Sequence, residues 1–426
     1  MQELRLRTGE RLAASWLAAG LLACSREPAP AWVRPPAPTP VVRPEGSPRS
    51  CLALPGASAE ALRCWVSWLA APALAGRAAG SPGGATARAG IEAVLRDMSL
   101  GPGGEEAEYT QALPQGANVL ARAAGSDPAR AAEVVLLAAH YDHLGVRGDA
   151  TYLGADDNAS GVAVLLEVAR RIAARPPARS VLIAAFDAEE PPAYGTPAMG
   201  SNYWVAHPTV PNGQLVAMLA MDLMGGNLWA GERTPLYVMG RETIAAAGAP
   251  ALPATARAMH LRLVEELPSG RQAFSDHGAF FAAQTPVLFF SSGRSPHYHR
   301  ASDLPDTLDE GKLVAAVEIV EAQLRWLADL PERPGWREAQ PLTAGDAGAV
   351  ADLLAAASAK TGSPEFNSLA APVVRADLAT LRRLAVAAPE TVLAEADARA
   401  VIAVSLRAQC LLAPDDEAPT ATCLML

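Results

Sequence analysis

The fold of this chain is decided by three consecutive segments: VVLLAA (134–139), a segment containing VAVLLEVARRIA (160–174), and SVLIAAF (180–186). Short apolar runs between loops predict buried β-strands, and apolar residues at helical spacing predict a helix between them. We expect Asn158 or Ser160 to cap the start of this helix, because either side chain can accept a hydrogen bond from a free backbone N–H group. A strand, a helix and a strand in this order predict two parallel strands joined by a right-handed crossover.

Further strands and helices extend this unit in both directions along the sequence. The apolar runs LVAMLAM (215–221) and PVLFFSS (286–292) predict two more strands. Amphipathic helices are predicted at 61–74, 86–98 and 311–329. Beyond Pro331 the composition becomes rich in alanine, and residues 343–412 predict a separate helical region. The sequence therefore predicts an α/β fold, with a largely parallel central sheet flanked by helices and a small C-terminal helical region.

Residues that can bind metal ions follow all four predicted strands. The clusters are His140-Tyr141-Asp142-His143, Asp187-Ala188-Glu189-Glu190, Asp222 and His297-Tyr298-His299. A further acidic segment, Asp156-Asp157, comes just before the predicted helix. In an open α/β sheet, ligands bind in the crevice outside the carboxyl ends of the strands. The sequence therefore predicts a functional site at this edge of the sheet.

The side chains in these clusters suit a pair of metal ions. Zinc is bound by histidine nitrogen and carboxylate oxygen, and two zinc ions can share a bridging carboxylate. Such a centre needs about two histidines, three carboxylates and one further carboxylate that takes a proton from water. The available residues are His140, His299, Asp157, Glu190 and Asp222, with Glu189 remaining. Neighbouring side chains in an extended segment point in opposite directions, so one of Glu189 and Glu190 can bind metal while the other faces water.

Several segments resemble peptidase family M28, the co-catalytic zinc aminopeptidases. They are LAGRAAGSPGG (74–84), AHYDHLG (139–145), GADDNASG (154–161), AEE (188–190), MD (221–222), SDHGAF (275–280) and YHRASD (298–303). The ligand motifs occur in the family's order, and the resemblance covers about residues 60–325. It implies a zinc exopeptidase-like fold with a mixed, largely parallel sheet.

The resemblance also assigns roles to the site residues. It implies two Zn²⁺ ions, with His140 and Glu190 on separate ions and Asp157 bridging them. Asp222 and His299 complete the two coordination spheres. It further implies that Glu189 is the general base that activates a metal-bridging water. Asp142 corresponds to a carboxylate that orients the His140 imidazole.

The other histidines allow more than one interpretation. His297 and His299 lie two residues apart, so a strand would point both the same way, and only the family pattern selects His299. We expect His143 to have a supporting or structural role rather than to bind metal. The consecutive residues Ser275-Asp276-His277 cannot form a nucleophilic triad, so we assign them to the pocket wall. His207 and His260 are expected at the surface or in structural roles.

The resemblance predicts an exopeptidase, and the choice of an aminopeptidase over a carboxypeptidase depends on the family alone. Two alternatives remain: a glutaminyl cyclase-like acyltransferase with a single zinc, and a non-catalytic scaffold domain of the same fold. The presence of both His140 and Asp222 favours the hydrolase, and Glu189 argues against a scaffold. The segment Pro191–Met199 is longer than in the simplest family pattern and leaves the substrate preference open.

The N-terminus predicts export and a lipid anchor. Arg5, Arg7 and Arg11 precede an apolar stretch that ends in Leu21-Leu22-Ala23-Cys24, so residues 1–23 are typical of a signal peptide. The cysteine resembles that of a bacterial lipobox, which implies a lipid on Cys24. The proline-rich residues 24–50 predict an extended tether. We therefore expect a zinc peptidase domain at 51–330, an alanine-rich helical region at 340–426, and a location at the outer membrane, on its periplasmic or surface face.

Composition limits the partners. The net charge of −10 argues against a nucleic-acid-binding surface, which needs clustered lysine and arginine. No apolar run approaches the ~20 residues of a membrane span. The expected partners are peptide substrates, with no nucleic acid and with membrane contact only through the lipid on Cys24.

Four further cysteines remain for disulfide bonds in an oxidising compartment. They are Cys51, Cys64, Cys410 and Cys423, which permit three pairings. We prefer the pairs Cys51–Cys64 and Cys410–Cys423, because each closes a short loop. None of these cysteines lies at a C-x-x-C spacing, so a thiolate zinc site is not expected.

Overall fold

A nine-stranded sheet organises the part of the chain that the computed structural model describes, residues 47–211, 213–228, 233–253, 258–261, 275–337, 341–358 and 370–412. Its strands are β1 (Gly101–Pro102), β2 (Thr110–Ala112), β3 (Ala117–Ala123), β4 (Val134–His140), β7 (Ser180–Phe186), β8 (Leu215–Met221), β9 (Leu236–Met239), β11 (Ala258–Leu261) and β12 (Val287–Ser291). Two small antiparallel pairs lie apart from it: β5 (Gly145–Arg147) with β6 (Ala150–Tyr152), and β10 (Ile244–Ala245) with β13 (Gly335–Trp336).

The centre of the sheet is parallel and its flanks are antiparallel. The strand order is β1-β3-β7-β4-β8-β12-β9-β11, and β2 pairs with β3. Strands β7, β4, β8 and β12 run parallel, whereas β3 and β9 join this core in the antiparallel direction. The predicted strand–helix–strand unit is confirmed, because β4 and β7 are parallel neighbours with Val134 opposite Ser180. The fold is thus the mixed, largely parallel sheet expected from the sequence.

Helices cover both faces of the sheet. They are α1 (Pro48–Leu52), α2 (Ala59–Leu69), α3 (Pro82–Asp97), α4 (Gly161–Ala174), α5 (Gly200–Ala206), α6 (His277–Ala282) and α7 (Glu310–Asp329). Alternate residues of β4 enter different cores: Val135 and Leu137 pack with α2, α4 and α7, while Leu136 packs with Trp204 and Phe280 of α5 and α6. Burial on both faces explains why the central strands are uninterrupted apolar runs rather than alternating ones.

The start of α4 distinguishes between the two predicted caps. The Asn158 side-chain oxygen accepts a hydrogen bond from the Gly161 N–H at 3.1 Å. Ser160 makes no side-chain cap, because its hydroxyl donates to the Asp156 carbonyl and accepts from the Met224 N–H. Asn158 is therefore the capping residue, and Ser160 instead joins the segment before α4 to the segment after β8.

Residues 47–64 contain the end of the predicted tether and one disulfide bond. Helix α1 begins at Pro48 after a Ser47 cap, so the last residues of the predicted tether are helical rather than extended. Cys51 and Cys64 form the expected disulfide, with their Cα atoms 5.5 Å apart. The signal peptide, most of the tether and the Cys410–Cys423 sulfur atoms lie outside the described residues. No helix within the described ranges combines the length and apolar character that crossing a membrane requires.

The C-terminal region contains helices α8 (Ala344–Ser358), α9 (Ala370–Leu384) and α10 (Glu395–Leu412). They share a small apolar core of their own that includes Leu354, Leu381 and Val401. A cavity of about 470 Å³ lies beside α8, lined by residues that include Arg241 and Arg337, and none of the predicted ligands lines it. This cavity is therefore separate from the metal site predicted at the edge of the sheet.

Candidate metal centre

The structure brings all the predicted site residues together at the carboxyl edge of the parallel strands. His140 is the last residue of β4, Glu189 and Glu190 follow β7, and Asp222 follows β8. Asp157 lies in the turn Ala155–Ser160, directly before α4, and its own backbone is not helical. His299 follows β12, and its side chain is 32% exposed, whereas the other predicted ligands are buried. Parallel strands place these distant parts of the sequence at one edge.

A first group of metal-binding atoms surrounds His140. Its Nε2 atom lies 3.3 Å from Asp222 Oδ1 and 3.5 Å from Asp157 Oδ1. The three residues are buried and their atoms are close enough to contact one ion. The resemblance left open which ion Asp222 contacts, and the structure places it beside His140.

A second group lies around Glu190. His299 Nε2 is 3.3 Å from Glu190 Oε1 and 3.2 Å from Asp157 Oδ2. His143 Nδ1 is 2.9 Å from the same Glu190 oxygen, and His143 forms a possible metal group with Asp157 and Glu190. Sequence reasoning expected only a supporting role for His143, although it belongs to the same motif as His140. Its place in the second group became visible only with the fold.

Asp157 joins the two groups through different oxygen atoms. Its Oδ1 faces His140 in the first group, and its Oδ2 faces His299 in the second. A carboxylate placed in this way can bridge two metal ions. The resemblance predicted a bridging role for Asp157, and each of its two oxygens faces a different group.

Glu189 faces the first group, whereas its neighbour Glu190 faces the second. Glu189 Oε2 lies 3.9 Å from His140 Nε2. Ala188, directly before it, has a φ of 59°. This left-handed conformation is uncommon for a residue with a side chain. The turn at Ala188 follows β7 directly and leaves the two carboxylates facing separate groups.

Asp142 positions the segment that carries these glutamates. Its two carboxylate oxygens accept hydrogen bonds from the backbone N–H groups of Glu189 at 3.0 Å and Glu190 at 3.2 Å. Its Oδ1 is 3.6 Å from His140 Nδ1, while its carbonyl oxygen is closer, at 3.3 Å. Asp142 therefore contacts the His140 ring and also holds the loop after β7, a role that the sequence did not indicate.

Arg77 and Asp303 hold the turn that carries Asp157. The buried Arg77 guanidinium donates to the carbonyl oxygens of Tyr141, Gly154 and Asp157. Asp303 accepts hydrogen bonds from the Asp157 N–H at 3.1 Å and from the preceding N–H. A buried charge is costly unless such hydrogen bonds satisfy it. Both residues lie in segments that resemble the family, but their contacts cross about 80 and 146 positions of sequence.

Burial and neighbouring charges shift several pKa values in opposite directions. Burial raises the pKa of Glu190, but the imidazoles of His143 and His299 beside it lower this pKa well below its usual range. Burial raises the pKa of Glu189 well above its usual range, opposed by His140. For His299, burial lowers the pKa, while Asp157 and Glu190 raise it to about 10. The raised pKa values favour a proton on Glu189 and on His299, whereas the lowered pKa favours an ionised Glu190.

The excess of buried carboxylates fits a metal centre. Asp157, Glu189, Glu190 and Asp222 are all at least nine-tenths buried within one small volume. Two like charges ~4 Å apart repel by about 4 kcal/mol at an effective dielectric constant of ~20. Imidazole nitrogens and carboxylate oxygens are also the ligand atoms that zinc takes in proteins. The donor set therefore suits zinc.

The remaining histidines lie outside both groups. His297 Nδ1 contacts the Ser302 hydroxyl at 3.0 Å, and His277 stacks on Phe289 with ring centres 4.1 Å apart. His207 stacks on Tyr203, and His260 contacts Arg241. Asp276, next to His277, is buried, and its charge adds a smaller increase to the pKa of Glu189 than burial, Glu190 and Asp222 do.

A protein-family model matches the part of the chain that contains this site. Residues 118–323 match the model of peptidase family M28, a range that contains every predicted ligand. The uncharacterized protein YfbL of Escherichia coli (strain K12) is 38% identical over 95 residues, which cover 22% of this chain and 28% of YfbL. A probable zinc metalloprotease of Pyrenophora tritici-repentis (strain Pt-1C-BFP) is 40% identical over 85 residues, covering 18% of this chain and 17% of that protein. The matches thus span less than a third of either relative.

The fold is shared with a solved structure. The crystal structure of the Legionella pneumophila LapA aminopeptidase aligns with a TM-score of 0.51 and 17% identity, covering 70% of this chain and 79% of that one. The family match contains both groups of metal-binding atoms. Residues 118–323 therefore form a domain of peptidase family M28.

Proposed function

We propose that this protein is a two-zinc aminopeptidase that removes N-terminal residues from peptides. One observation carries the proposal: the two carboxylate oxygens of Asp157 face different groups of metal-binding atoms. His140 and Asp222 would hold one zinc, while Glu190 and His299 would hold the other. Membership of family M28 supports a peptidase, and the aminopeptidase specificity follows the family resemblance.

Glu189 is the acid–base group in this proposal. Bound zinc ions would lower the pKa of water towards ~7 and stabilise negative charge on the scissile carbonyl. The Glu189 carboxylate takes the proton from the attacking water and passes it to the amine that leaves. Asp142 holds the Glu189 backbone, so the carboxylate stays beside His140. The proton is therefore transferred by a group that is not itself a ligand.

The number of zinc ions separates this proposal from two others. A glutaminyl cyclase-like acyltransferase would hold a single zinc, and a non-catalytic scaffold would hold none. The second group around Glu190 supports two ions, because a one-metal enzyme would not need it. The position of Glu189 supports catalysis over a scaffold role.

Zinc analysis and substrate assays test the proposed function together. We expect purified protein to contain two zinc ions per chain and to hydrolyse chromogenic aminoacyl substrates. Substrates with an acetylated N-terminus serve as the matched control and should not be cleaved, because an aminopeptidase requires a free amine. One zinc with cyclisation of N-terminal glutamine, or cleavage of acetylated substrates at the same rate, would contradict the proposal.

We also propose that Cys24 carries a lipid that anchors the protein at the outer membrane. The proposal rests on Leu21-Leu22-Ala23-Cys24 and the proline-rich segment behind it. Cys24→Ser should move the protein from membrane fractions to the soluble fraction, as followed by immunoblot after fractionation. Cys51→Ser is the control and should leave the protein on the membrane. A wild-type protein found wholly in the soluble fraction would rule out the anchor.

A further inference from the structure

We propose that His143 is a fourth protein ligand of the second zinc, through Nδ1, so that the two metal positions are unequal. The inference rests on the proposed two-zinc function. The second position would have two imidazole nitrogens and two carboxylate oxygens, from His143, His299, Glu190 and Asp157. The first would have only His140, Asp222 and the other oxygen of Asp157.

The first argument comes from four buried atoms that lack hydrogen-bond partners. They are His143 Nδ1, Glu190 Oε1, His299 Nε2 and Asp157 Oδ2, and none has a partner of suitable geometry among the described residues. Buried polar atoms in native proteins are nearly always paired. These four lie beside one another, yet their angles do not suit hydrogen bonds. A metal ion among these atoms would supply the partner that each of them lacks.

The distances between these atoms agree with a shared coordination sphere. Ligand atoms around a tetrahedral zinc, each at 2.0–2.2 Å from it, lie ~3.3 Å apart. His143 Nδ1 is 2.9 Å from Glu190 Oε1 and 3.7 Å from Asp157 Oδ2. His299 Nε2 is 3.3 Å and 3.2 Å from the same two oxygens. Both histidines thus place a ring nitrogen within 3.7 Å of the two oxygens, and the His143, Asp157 and Glu190 atoms are close enough to contact one ion.

The backbone holds the His143 ring in this position. Gly154 has a φ of 60°, and a Cβ atom there would lie 2.4 Å from the ring of His143. The turn leading to Asp157 therefore packs directly against the imidazole, which is possible only with glycine at this position. His143 itself is 1% exposed. A ring fixed in this way by its surroundings can serve as a precisely placed ligand.

The different numbers of protein ligands would give the two zinc ions different roles. A zinc with four protein ligands is closed, whereas one with three keeps a position open for water or substrate. The open position would belong to the first zinc, next to His140. Glu189 Oε2 lies on that side, 3.9 Å from His140 Nε2. The second zinc would have no such open position and would mainly hold Asp157 in place.

X-ray absorption and zinc titration test this inference. We expect the zinc-edge spectrum of the wild-type protein to require three imidazole ligands for two zincs, rather than two. In competition with a chelator, His143→Ala should lower the affinity for one zinc ion by more than roughly 10–100-fold. That range is the loss of affinity seen when a residue that only supports a ligand is removed. The other zinc should keep its wild-type affinity. His297→Ala, which changes a histidine outside both groups, should bind both zincs like the wild type.

A second variant distinguishes a ligand from a hydrogen-bond donor. His143→Gln keeps a group that can donate to Glu190, so wild-type zinc affinity in this variant would overturn the inference. A count of two imidazoles in the wild type would overturn it as well, even if the variants did not fold. Two zincs with unchanged affinity in His143→Ala would overturn the inference and leave the proposed function standing. A wild-type protein without zinc would refute both.

Discussion

Replacing Glu189 with glutamine will lower turnover by roughly 10²–10⁴-fold while leaving both zinc ions in place. The reason is that Glu189 faces the first group without belonging to either set of metal-binding residues. Glutamine has nearly the same shape but cannot take a proton from water. Steady-state kinetics with an aminoacyl substrate and zinc analysis of the same sample measure both effects.

Glu190→Gln is the matched control for this prediction. It changes the neighbouring residue in the same way but removes an oxygen that lies 2.9 Å from His143 and 3.3 Å from His299. This variant should lose zinc from the second position as well as activity. If Glu189→Gln loses zinc while Glu190→Gln keeps it, or if the Glu189 variant turns over normally, the two roles are assigned incorrectly.

Replacing Asp157 with asparagine should lower the affinity for both zinc ions by more than ~100-fold. Residues that only hydrogen-bond to metal ligands already contribute up to that factor, so the loss of a ligand should cost more. Asp157 contacts each group through a separate oxygen, and an amide cannot supply two anionic ligands. Its backbone hydrogen bond to Asp303 does not involve the substituted atoms. Titration of the metal-free variant with zinc, followed by circular dichroism to check the fold, measures this loss.

Asp222→Asn separates a shared ligand from an unshared one. Asp222 contacts His140 at 3.3 Å and belongs only to the first group. This variant should lose one zinc and retain the other. Equal zinc loss in the Asp157 and Asp222 variants, or retention of one tight zinc by Asp157→Asn, would show that Asp157 does not bridge.

The strands and main helices could be predicted from the sequence because each depends on a local pattern. The run at 180–186 became a strand with those same bounds, and the predicted helix at 160–174 was observed at Gly161–Ala174. Sequence order also indicated which residues would meet at the sheet edge, since parallel strands bring their carboxyl ends together. The Cys51–Cys64 disulfide was predictable because it joins nearby positions.

Other features depend on contacts between segments that are distant in sequence. The choice of Asn158 over Ser160 as the cap followed from a bond between Ser160 and Met224. The position of His143 in the second group depends on how the Gly154 turn packs against its ring. No local pattern contains either contact, because both require the loops after different strands to be folded against one another.

Local sequence thus specifies which side chains are available for metal binding and at which edge of the sheet they lie. The tertiary structure decides how they are grouped: which oxygen of Asp157 faces each histidine, and which way Glu189 and Glu190 point. That grouping is set by Arg77, Asp142 and Asp303, whose hydrogen bonds hold the loop backbones. The physical reason is that a carboxylate can turn towards either metal position, and only backbone contacts across 47 to 146 positions of sequence remove that freedom.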